Sequence, residues 1–323
     1  MSGAFLEPTP QQSVRTPQLT GELIATRRVG AYHHLTFVAP GVAELAKPGQ
    51  FVAVAVGGDT SANLLRRCFS IYRASSVDKV SSIHNVSSIN QVSPSGTHGG
   101  TVDVVVAARG PGTRWLTGLS VHDEVNIIGP LGHPFPLPKE PVACVLVGGG
   151  YGSAPLFWLA AELRERGCHV EMVLGAATKD RLFGVVEARR SRRAMDGVTV
   201  TTDDGSMGIK GWVSDVLTDV IRRCHADVVY GCGPMAMLKS ITDVATAQGA
   251  VAQVAVEESM ACGIGVCMTC VMPVVGDDGL TRMVRSCVEG PVFRGDRVRW
   301  DAFEHGWCAV PQDAHGAVAM RGH

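Results

Sequence analysis

Short apolar runs, broken by Gly and Pro, fill the chain from about residue 19 to residue 137. Few of them show the 3.6-residue apolar period of a helix. Strands of this length and spacing are typical of antiparallel β barrels. The pattern therefore predicts a barrel formed by the segments GELIATRRV, HHLTFVAP, QFVAVAV, CFSIYRA, TVDVVVAA and DEVNIIGPLG.

Two polar segments precede or interrupt this barrel. Residues 1–18 are rich in Pro, Gln, Ser and Thr, and we expect a disordered leader there. Residues 75–100 are rich in Ser, Asn and Gly and have no sustained apolar period. We interpret this second segment as a long hairpin insertion on the barrel surface.

The pattern changes at Pro141. VACVLVGGG is a continuous apolar run that ends in glycines, as expected for a parallel strand buried on both faces. Helical and strand-like segments then alternate as far as AQVAVEE. This alternation predicts a doubly wound parallel sheet, the architecture of many nucleotide-binding domains.

Four cysteines follow the last of these strands with the spacing C-x4-C-x2-C and a distant fourth member; they are Cys262, Cys267, Cys270 and Cys287. This is the spacing of plant-type 2Fe–2S proteins. Gly263 and Gly265 would let the backbone approach the inorganic sulfides, because glycine adopts conformations that other residues avoid. The spacing therefore predicts a 2Fe–2S cluster.

Two other interpretations of these cysteines remain open. Structural zinc sites usually pair their ligands in two short C-x-x-C-like units, whereas here three cysteines fall within nine residues and the fourth stands apart. Disulfides would suit a secreted protein, but the N-terminal sequence lacks the basic start and apolar run of a signal peptide. We favour the iron–sulfur cluster over zinc, and both over disulfides.

Composition narrows the class of protein. The chain has 323 residues, enough for two domains and a small third one, with 46% hydrophobic and 18% charged residues. A formal net charge of −1 lacks the positive excess that would indicate binding to nucleic acid or to an anionic membrane. Ten cysteines without an export signal suit a reducing compartment, so we expect a cytoplasmic protein.

Two motifs in the barrel region have the chemistry of a flavin site. In RRCFSIY, Arg67, Phe69 and Ser70 offer a guanidinium for pyrophosphate, an apolar contact and a hydroxyl for the ring edge. A positively charged strand end is the commoner meaning of such a segment. In GPGTRWL, Gly110 and Gly112 precede Thr113 and a predicted helix, and the free N–H groups at the start of such a helix suit a phosphate. Taken alone, this motif is better explained as a plain turn with an N-cap.

Two glycine-rich turns lie at the ends of predicted parallel strands. Gly148, Gly150 and Ser153 form a loosened G-x-G-x-x-S dinucleotide fingerprint between a strand and a helix. The segment YGCGPMAML follows a later strand, at the edge where nucleotides bind in open α/β folds. Its Cys232 is a candidate catalytic contact of a nicotinamide, but a small buried thiol is an equally good interpretation.

The order of these motifs is more specific than any one of them. R-x-F-S and GPGT in a barrel, followed by GGGYGSAP and YGCGPMAML, resemble the ferredoxin–NADP reductase superfamily. With TDDGSMGIKG and EESMACGIGVCMTC…RSC added, the chain resembles the iron–sulfur flavoprotein subunits of bacterial class 1B dihydroorotate dehydrogenases. The resemblance covers about residues 19–303, apart from the Ser-rich insertion.

The resemblance implies a domain plan and a set of ligand contacts. An FAD-binding barrel would span residues 19–140, an NAD-binding domain 141–250, a 2Fe–2S domain 251–303 and a tail 304–323. The FAD contacts would be Arg67, Cys68, Phe69, Ser70, Val105, Val106, Ala107, Gly112 and Thr113. The NADH contacts would be Gly148, Gly149, Gly150, Gly152, Ser153, Gly231, Gly233 and Pro234. The cluster ligands would be Cys262, Cys267, Cys270 and Cys287. One departure stands out, because the family usually has proline where this chain has Cys68.

The resemblance also implies a function. Electrons would pass from NADH through FAD and the 2Fe–2S cluster to the FMN of a separate dihydroorotate dehydrogenase catalytic subunit, in a heterotetramer of two chains of each kind. This chain alone would not oxidise dihydroorotate. The alternatives are a reductase subunit serving ferredoxin, a hydrogenase or a bifurcating complex, and a redox-sensing protein of the same fold. The sequence leaves the choice between NADH and NADPH open.

Overall fold

A computed structural model describes residues 6–7, 16–58, 61–76, 99–190, 195–257, 259–304 and 307–315. Most of the predicted leader and most of the predicted Ser-rich insertion lie outside these ranges. Within them, no helix has the length and apolar character needed to span a bilayer.

The first half of the chain forms a closed six-stranded antiparallel barrel in the order β1-β2-β5-β4-β3-β6. Its strands are β1 (Gln18–Val29), β2 (Tyr32–Val38), β3 (Phe51–Val54), β4 (Arg67–Ser75), β5 (Thr101–Val106) and β6 (Glu124–Leu131). Two short helices, α1 (Val42–Leu45) and α2 (Pro111–Thr117), join them. Alternate residues such as Leu35 and Phe37 are buried in the barrel core, as period-2 strands require. The predicted barrel is confirmed.

The second half forms a seven-stranded sheet in the order β10-β9-β8-β7-β11-β12-β15. Its strands are β7 (Ala143–Gly149), β8 (His169–Ala176), β9 (Gly197–Thr202), β10 (Ile209–Lys210), β11 (Val228–Cys232), β12 (Val251–Ala255) and β15 (Val292–Arg294). The helices packed on it are α3 (Ala154–Glu165), α4 (Val185–Arg190), α5 (Val213–Cys224) and α6 (Met235–Ala247). The first six strands run parallel, and β15 pairs antiparallel with β12.

The central strand β7 explains why helices cover both faces of this sheet. Cys144 and Leu146 pack with α3 in one hydrophobic cluster, while Val145 and Val147 pack with α5 and α6 in another. All four side chains are fully buried, because successive residues of a strand point to opposite faces. The predicted doubly wound sheet is confirmed. It continues through β12, although the sequence-based domain plan begins the cluster domain at residue 251.

The cluster domain contains a hairpin and a return to the sheet. The strands β13 (Val271–Val275) and β14 (Thr281–Arg285) pair antiparallel, and β15 then joins the edge of the seven-stranded sheet. In the tail, β16 (Phe303–Glu304) pairs with β17 (Trp307–Cys308), and Ala314 is buried. The part of the tail that the structure describes therefore contains a short strand pair and a buried side chain.

A group of aromatic rings holds the barrel against the sheet domain. Tyr32 and Tyr72 extend from the barrel and meet Tyr151, Phe157 and Phe183 edge to face, with ring centres 5.7–6.2 Å apart. These rings belong to one buried cluster that crosses the domain boundary. Edge-to-face aromatic pairs are favourable beyond the area they bury. The barrel and the sheet domain are therefore fixed relative to each other.

Candidate functional site

The four cysteines converge at one end of the cluster domain. Cys270 and Cys287 are each 2% exposed, Cys262 is half-buried and Cys267 is exposed. The β13–β14 hairpin brings the distant fourth cysteine into place. The N–H of Ser286 donates to the carbonyl of Cys270 at 3.0 Å, so Cys287 lies beside Cys270.

Hydrogen-bond donors surround the thiols of this loop. The N–H groups of Val266 and Cys267 both point at Sγ of Cys262, at 3.4 Å. The hydroxyl of Thr269 lies 3.0 Å from Sγ of Cys267, and this contact lowers the pKa of the Cys267 thiol. Donors aimed at sulfur favour the thiolate, which is the form that ligates iron. Four converging sulfurs with such donors fit a 2Fe–2S cluster.

The cluster loop contacts the outer face of the barrel at Gly263. This glycine has φ +73°, and a β-carbon built on it would lie 2.7 Å from Sγ of Cys68, 3.3 Å from the ring of Phe51 and 3.5 Å from Cβ of Ala53. Any side chain at Gly263 would therefore push the loop off the barrel. The contact places Cys68, which the sequence assigns to FAD, directly beside the cluster loop.

The predicted FAD residues of β4 point in different directions. Ser70 is exposed, whereas Phe69 packs against the barrel core. The Nη1 group of Arg67 donates to the carbonyls of Leu65 and Arg66, at 2.6 and 3.1 Å. Its Nε and Nη2 face the start of α2, since a β-carbon on Gly112 would lie 3.1 Å from both. The structure thus brings Arg67 and Gly112 together, with two guanidinium N–H groups available to an anion.

Two other predicted FAD residues have side chains that already make contacts within the barrel domain. The Thr113 hydroxyl accepts the N–H groups of Arg109 and Gly110, at 2.9 and 3.0 Å, so it caps its own turn. Val106 is fully buried in the barrel core, and its side chain is not accessible to a flavin. Either residue would reach FAD only through its backbone. Val105 and Ala107 point the other way, into the cluster shared with the sheet domain.

The two glycine turns at the carboxyl edge of the sheet contact each other. A β-carbon on Gly149 would lie 2.9 Å from Cδ of Pro234, and one on Gly152 would lie 2.8 Å from Cα of Gly233. Gly231 instead faces α6, where an added β-carbon would clash with Ile241. The turns therefore form one small-residue surface where backbone can approach a pyrophosphate.

Three of the residues predicted to bind NADH also contact one another within the first glycine turn. Gly148 permits the tight approach of Ser153, whose Cβ would lie 2.4 Å from an added β-carbon. The hydroxyl of Ser153 is buried and donates to the carbonyl of Gly150 at 2.8 Å. This hydroxyl therefore stabilises the turn rather than facing a ligand.

Cys232 is 2% exposed and packs in the hydrophobic cluster between β11 and α3. Burial, and then the neighbouring Glu257, raise the pKa of its thiol well above the usual value. A thiol in this setting stays uncharged and is a poor nucleophile. A contact between Cys232 and a nicotinamide stays a prediction, and it would be a packing contact.

A polar group that the sequence analysis missed lies between the two domains. The guanidinium of Arg109, from the barrel, stacks on the ring of Tyr151, within the first glycine turn. Tyr151 also hydrogen-bonds the carboxyl of Glu257, which lies just before the cluster segment. Glu257 as a whole residue is exposed, but protein surrounds its carboxyl group. This desolvation raises the pKa of the carboxyl, and the charge of Arg109 opposes the rise. Tyr151 stands inside a quoted motif, but Arg109 and Glu257 have no sequence pattern.

A family model confirms the identity of the cysteine segment. Residues 257–299 match the iron-sulfur cluster binding domain of dihydroorotate dehydrogenase B. The match covers all four cysteines and both strands of the β13–β14 hairpin.

Relatives matched over nearly their full length extend this match to more than four fifths of the chain. The dihydroorotate dehydrogenase B (NAD(+)) electron transfer subunit of Geobacillus thermodenitrificans is 35% identical over 268 residues, covering 82% of this chain and 92% of that protein. The subunit of the same name from Desulforamulus reducens is 34% identical over 274 residues, covering 83% and 93%.

Solved structures support the fold. A chain from the NADH-dependent reduced ferredoxin-NADP oxidoreductase, described in work on flavin-based electron bifurcation, matches with a TM-score of 0.68 and 29% identity, covering 87% of this chain and 90% of that one. A Neisseria gonorrhoeae ferredoxin NADP+ reductase with bound FAD and NADP matches with a TM-score of 0.52 and 13% identity, covering 72% and 92%. The second likeness concerns the fold alone.

Proposed function

Because this chain belongs to the family of electron transfer subunits of NAD-dependent dihydroorotate dehydrogenase B, we propose that it carries electrons from NADH to a separate catalytic subunit, where dihydroorotate and orotate interconvert. The four-thiol site of the cluster domain is the observation that carries this proposal. It lies against the outer face of the barrel, next to the strand with the R-x-F-S motif. The chain is an oxidoreductase component and works with FAD, a 2Fe–2S cluster and NADH.

The residues of the chain would bind and orient these groups. When bound, FAD accepts the two electrons of a hydride, and the cluster carries electrons one at a time. We assign the free N–H groups of Arg67, with the start of α2 at Gly112, to the FAD phosphates. We assign the joined glycine turns around Gly149 and Gly233 to NADH. Cys262, Cys267, Cys270 and Cys287 would hold the cluster.

The exposed side of the cluster loop suits the docking of the catalytic subunit. Val266 is 75% exposed, and Ile264, Met268 and Val288 are also exposed apolar side chains on the same short segments. Contiguous exposed apolar residues mark interaction sites on soluble proteins. A partner seated there would come close to Cys267, the exposed thiol of the set. We propose that its FMN receives electrons across this face, in an assembly of two chains of each kind.

An anaerobic visible spectrum, recorded before and after one equivalent of NADH, tests the proposal. A flavin band and the broad absorption of a 2Fe–2S centre should both bleach within seconds. Adding the FMN-containing catalytic subunit and orotate should then restore the absorption as dihydroorotate forms. The single chain should not oxidise dihydroorotate. Bleaching by NADPH but not by NADH would contradict the proposal and favour a reductase of the bifurcating type.

A further inference from the structure

Cys68 lies on the outer face of the barrel. In the β3–β4 pairing, Ala53 is opposite Cys68 and Phe51 is opposite Ser70. Successive residues alternate between faces, so these four side chains share one face. Their neighbour Val52 points into the barrel core. Cys68 and Ser70 are therefore neighbours on the surface that faces the cluster domain.

On this surface Cys68 contacts the cluster loop. Gly263 covers it so closely that an added β-carbon would lie 2.7 Å from the sulfur. Cys68 also packs against a small buried cluster that contains Cys270 and Cys287, two of the four proposed ligands. Cys68 is a fifth cysteine beside the proposed ligands, contributed by the barrel and not by the cluster domain.

The position of Ser70 relates the contact at Cys68 to the proposed flavin site. Two residues along a strand span about 7 Å. Ser70, an exposed residue of the R-x-F-S motif, is thus one side-chain position away from the thiol that touches the cluster loop. The two cofactors of the proposed function would be bound at adjacent positions of a single strand.

We infer that Cys68 is a positioning residue that holds the cluster loop against the flavin-binding strand and helps to set the reduction potential of the cluster. This inference rests on the proposed function. The potential of an iron–sulfur cluster depends on hydrogen bonds to its sulfurs and on solvent exposure. Cys68 limits solvent exposure by closing the gap beneath Gly263, and its thiol is a weak hydrogen-bond donor placed beside Cys270 and Cys287. Cys68 itself gains or loses no electron and no proton in this role.

Two variants of the holoprotein test the inference, with iron content, the EPR spectrum of the reduced cluster and its midpoint potential as readouts. Cys68→Ser keeps the size of the side chain but introduces a stronger hydrogen-bond donor, so the midpoint potential of the cluster should rise. Cys68→Ala opens the contact, and the cluster should be lost to a chelator about tenfold faster. The midpoint potential of the flavin should change less than that of the cluster in both variants.

Cys224→Ser is the matched control, because Cys224 is a half-buried thiol on α5 whose Sγ donates to the carbonyl of Val220. It should leave the potential and EPR spectrum of the cluster unchanged. Wild-type potential, EPR spectrum and chelator resistance in both Cys68 variants would overturn the inference. A wild-type protein without a cluster, or one that NADH does not reduce, would instead overturn the proposed function.

Alkylation of the wild-type protein tests the contact without any substitution. With the cluster bound, iodoacetamide should leave Cys68 unmodified, since the loop covers it. After a chelator removes the cluster, mass spectrometry should find Cys68 alkylated, while the fully buried Cys144 stays unmodified. Complete alkylation of Cys68 while the cluster is still bound would show that the loop does not cover this thiol, and the inference would fail.

Discussion

The guanidinium carbon of Arg109 lies 5.3 Å from the centre of the Tyr151 ring. The arginine belongs to the loop between β5 and α2, and the tyrosine belongs to the turn that follows β7. The Tyr32 ring packs on the same tyrosine from the barrel side, with ring centres 5.7 Å apart. One aromatic side chain thus joins the proposed FAD-phosphate loop to the proposed NADH turn.

Removing the Tyr151 ring should weaken the use of NADH. The stacking of a guanidinium on an aromatic ring is worth about 1 kcal/mol or more where water is partly excluded. Tyr151→Ala also opens a gap beside the glycine turn, so we expect the KM for NADH to rise about tenfold. Tyr151→Phe keeps the ring and should stay close to wild type. Steady-state kinetics with NADH and an artificial electron acceptor measure both, and an equal KM in the two variants would contradict the role of the ring.

Glu257 should make the stability of the protein depend on pH. Desolvation raises the pKa of its carboxyl above the usual 4.5, despite the opposing charge of Arg109. The folded state therefore retains a proton that the unfolded chain has released. Stability is then lost as pH rises from 4.5 through the folded-state pKa.

The Glu257→Gln variant lacks this dependence. The melting temperature of the variant minus that of the wild type should therefore be larger at pH 7 than at pH 4.5. Differential scanning fluorimetry at the two pH values measures the difference. Glu165→Gln, which removes an exposed carboxylate at the end of α3, is the control. The same difference at both pH values for Glu257→Gln would show that the carboxyl is not desolvated.

The sequence predicts the elements of this fold well where a local pattern determines them. The alternation in HHLTFV produces β2, and the unbroken apolar run in VACVLVGG produces β7, because each pattern matches the faces that the strand buries. The spacing of the cluster cysteines predicts their site for a similar reason. Three ligands on one loop are a local constraint, and the family model confirms the segment.

The features that the sequence does not reveal depend on contacts between distant segments. The three residues of β15 are too few for a recognisable pattern, and they form a strand only because β12 offers an open edge. Cys68 meets Gly263 across about two hundred residues of chain, so no spacing predicts the pair. The sequence predicts that Ser153 and Thr113 contact ligands, and it does not show that their hydroxyls also bond to nearby backbone, as short hydroxyl side chains readily do.

Replacing the fourth cluster cysteine should remove the cluster without removing the flavin. In Cys287→Ser a harder oxygen ligand stands where iron requires a soft thiolate, so iron and sulfide content should fall sharply. FAD content should stay near wild type, because its proposed contacts lie on β4 and α2. Cys308→Ser, on β17 outside the matched cluster segment, is the control. Full iron content in Cys287→Ser would remove this residue from the ligand set.

The hydroxyl of Tyr230 should stabilise the fold through one buried hydrogen bond. Tyr230 is fully buried on β11, its ring meets Phe135 edge to face at 5.6 Å, and its hydroxyl donates to the carbonyl of Pro136 at 2.8 Å. Tyr230→Phe keeps the ring contact and removes only the donor, so the free energy of unfolding should fall by about 1 kcal/mol. Ser240→Ala removes a hydroxyl that donates to the carbonyl of Ala236 on the exposed face of α6, and it should cost about 0.5 kcal/mol or less. Urea titration followed by tryptophan fluorescence compares the two variants. Equal losses would mean that the Tyr230 bond gains nothing from its burial between the barrel and the sheet.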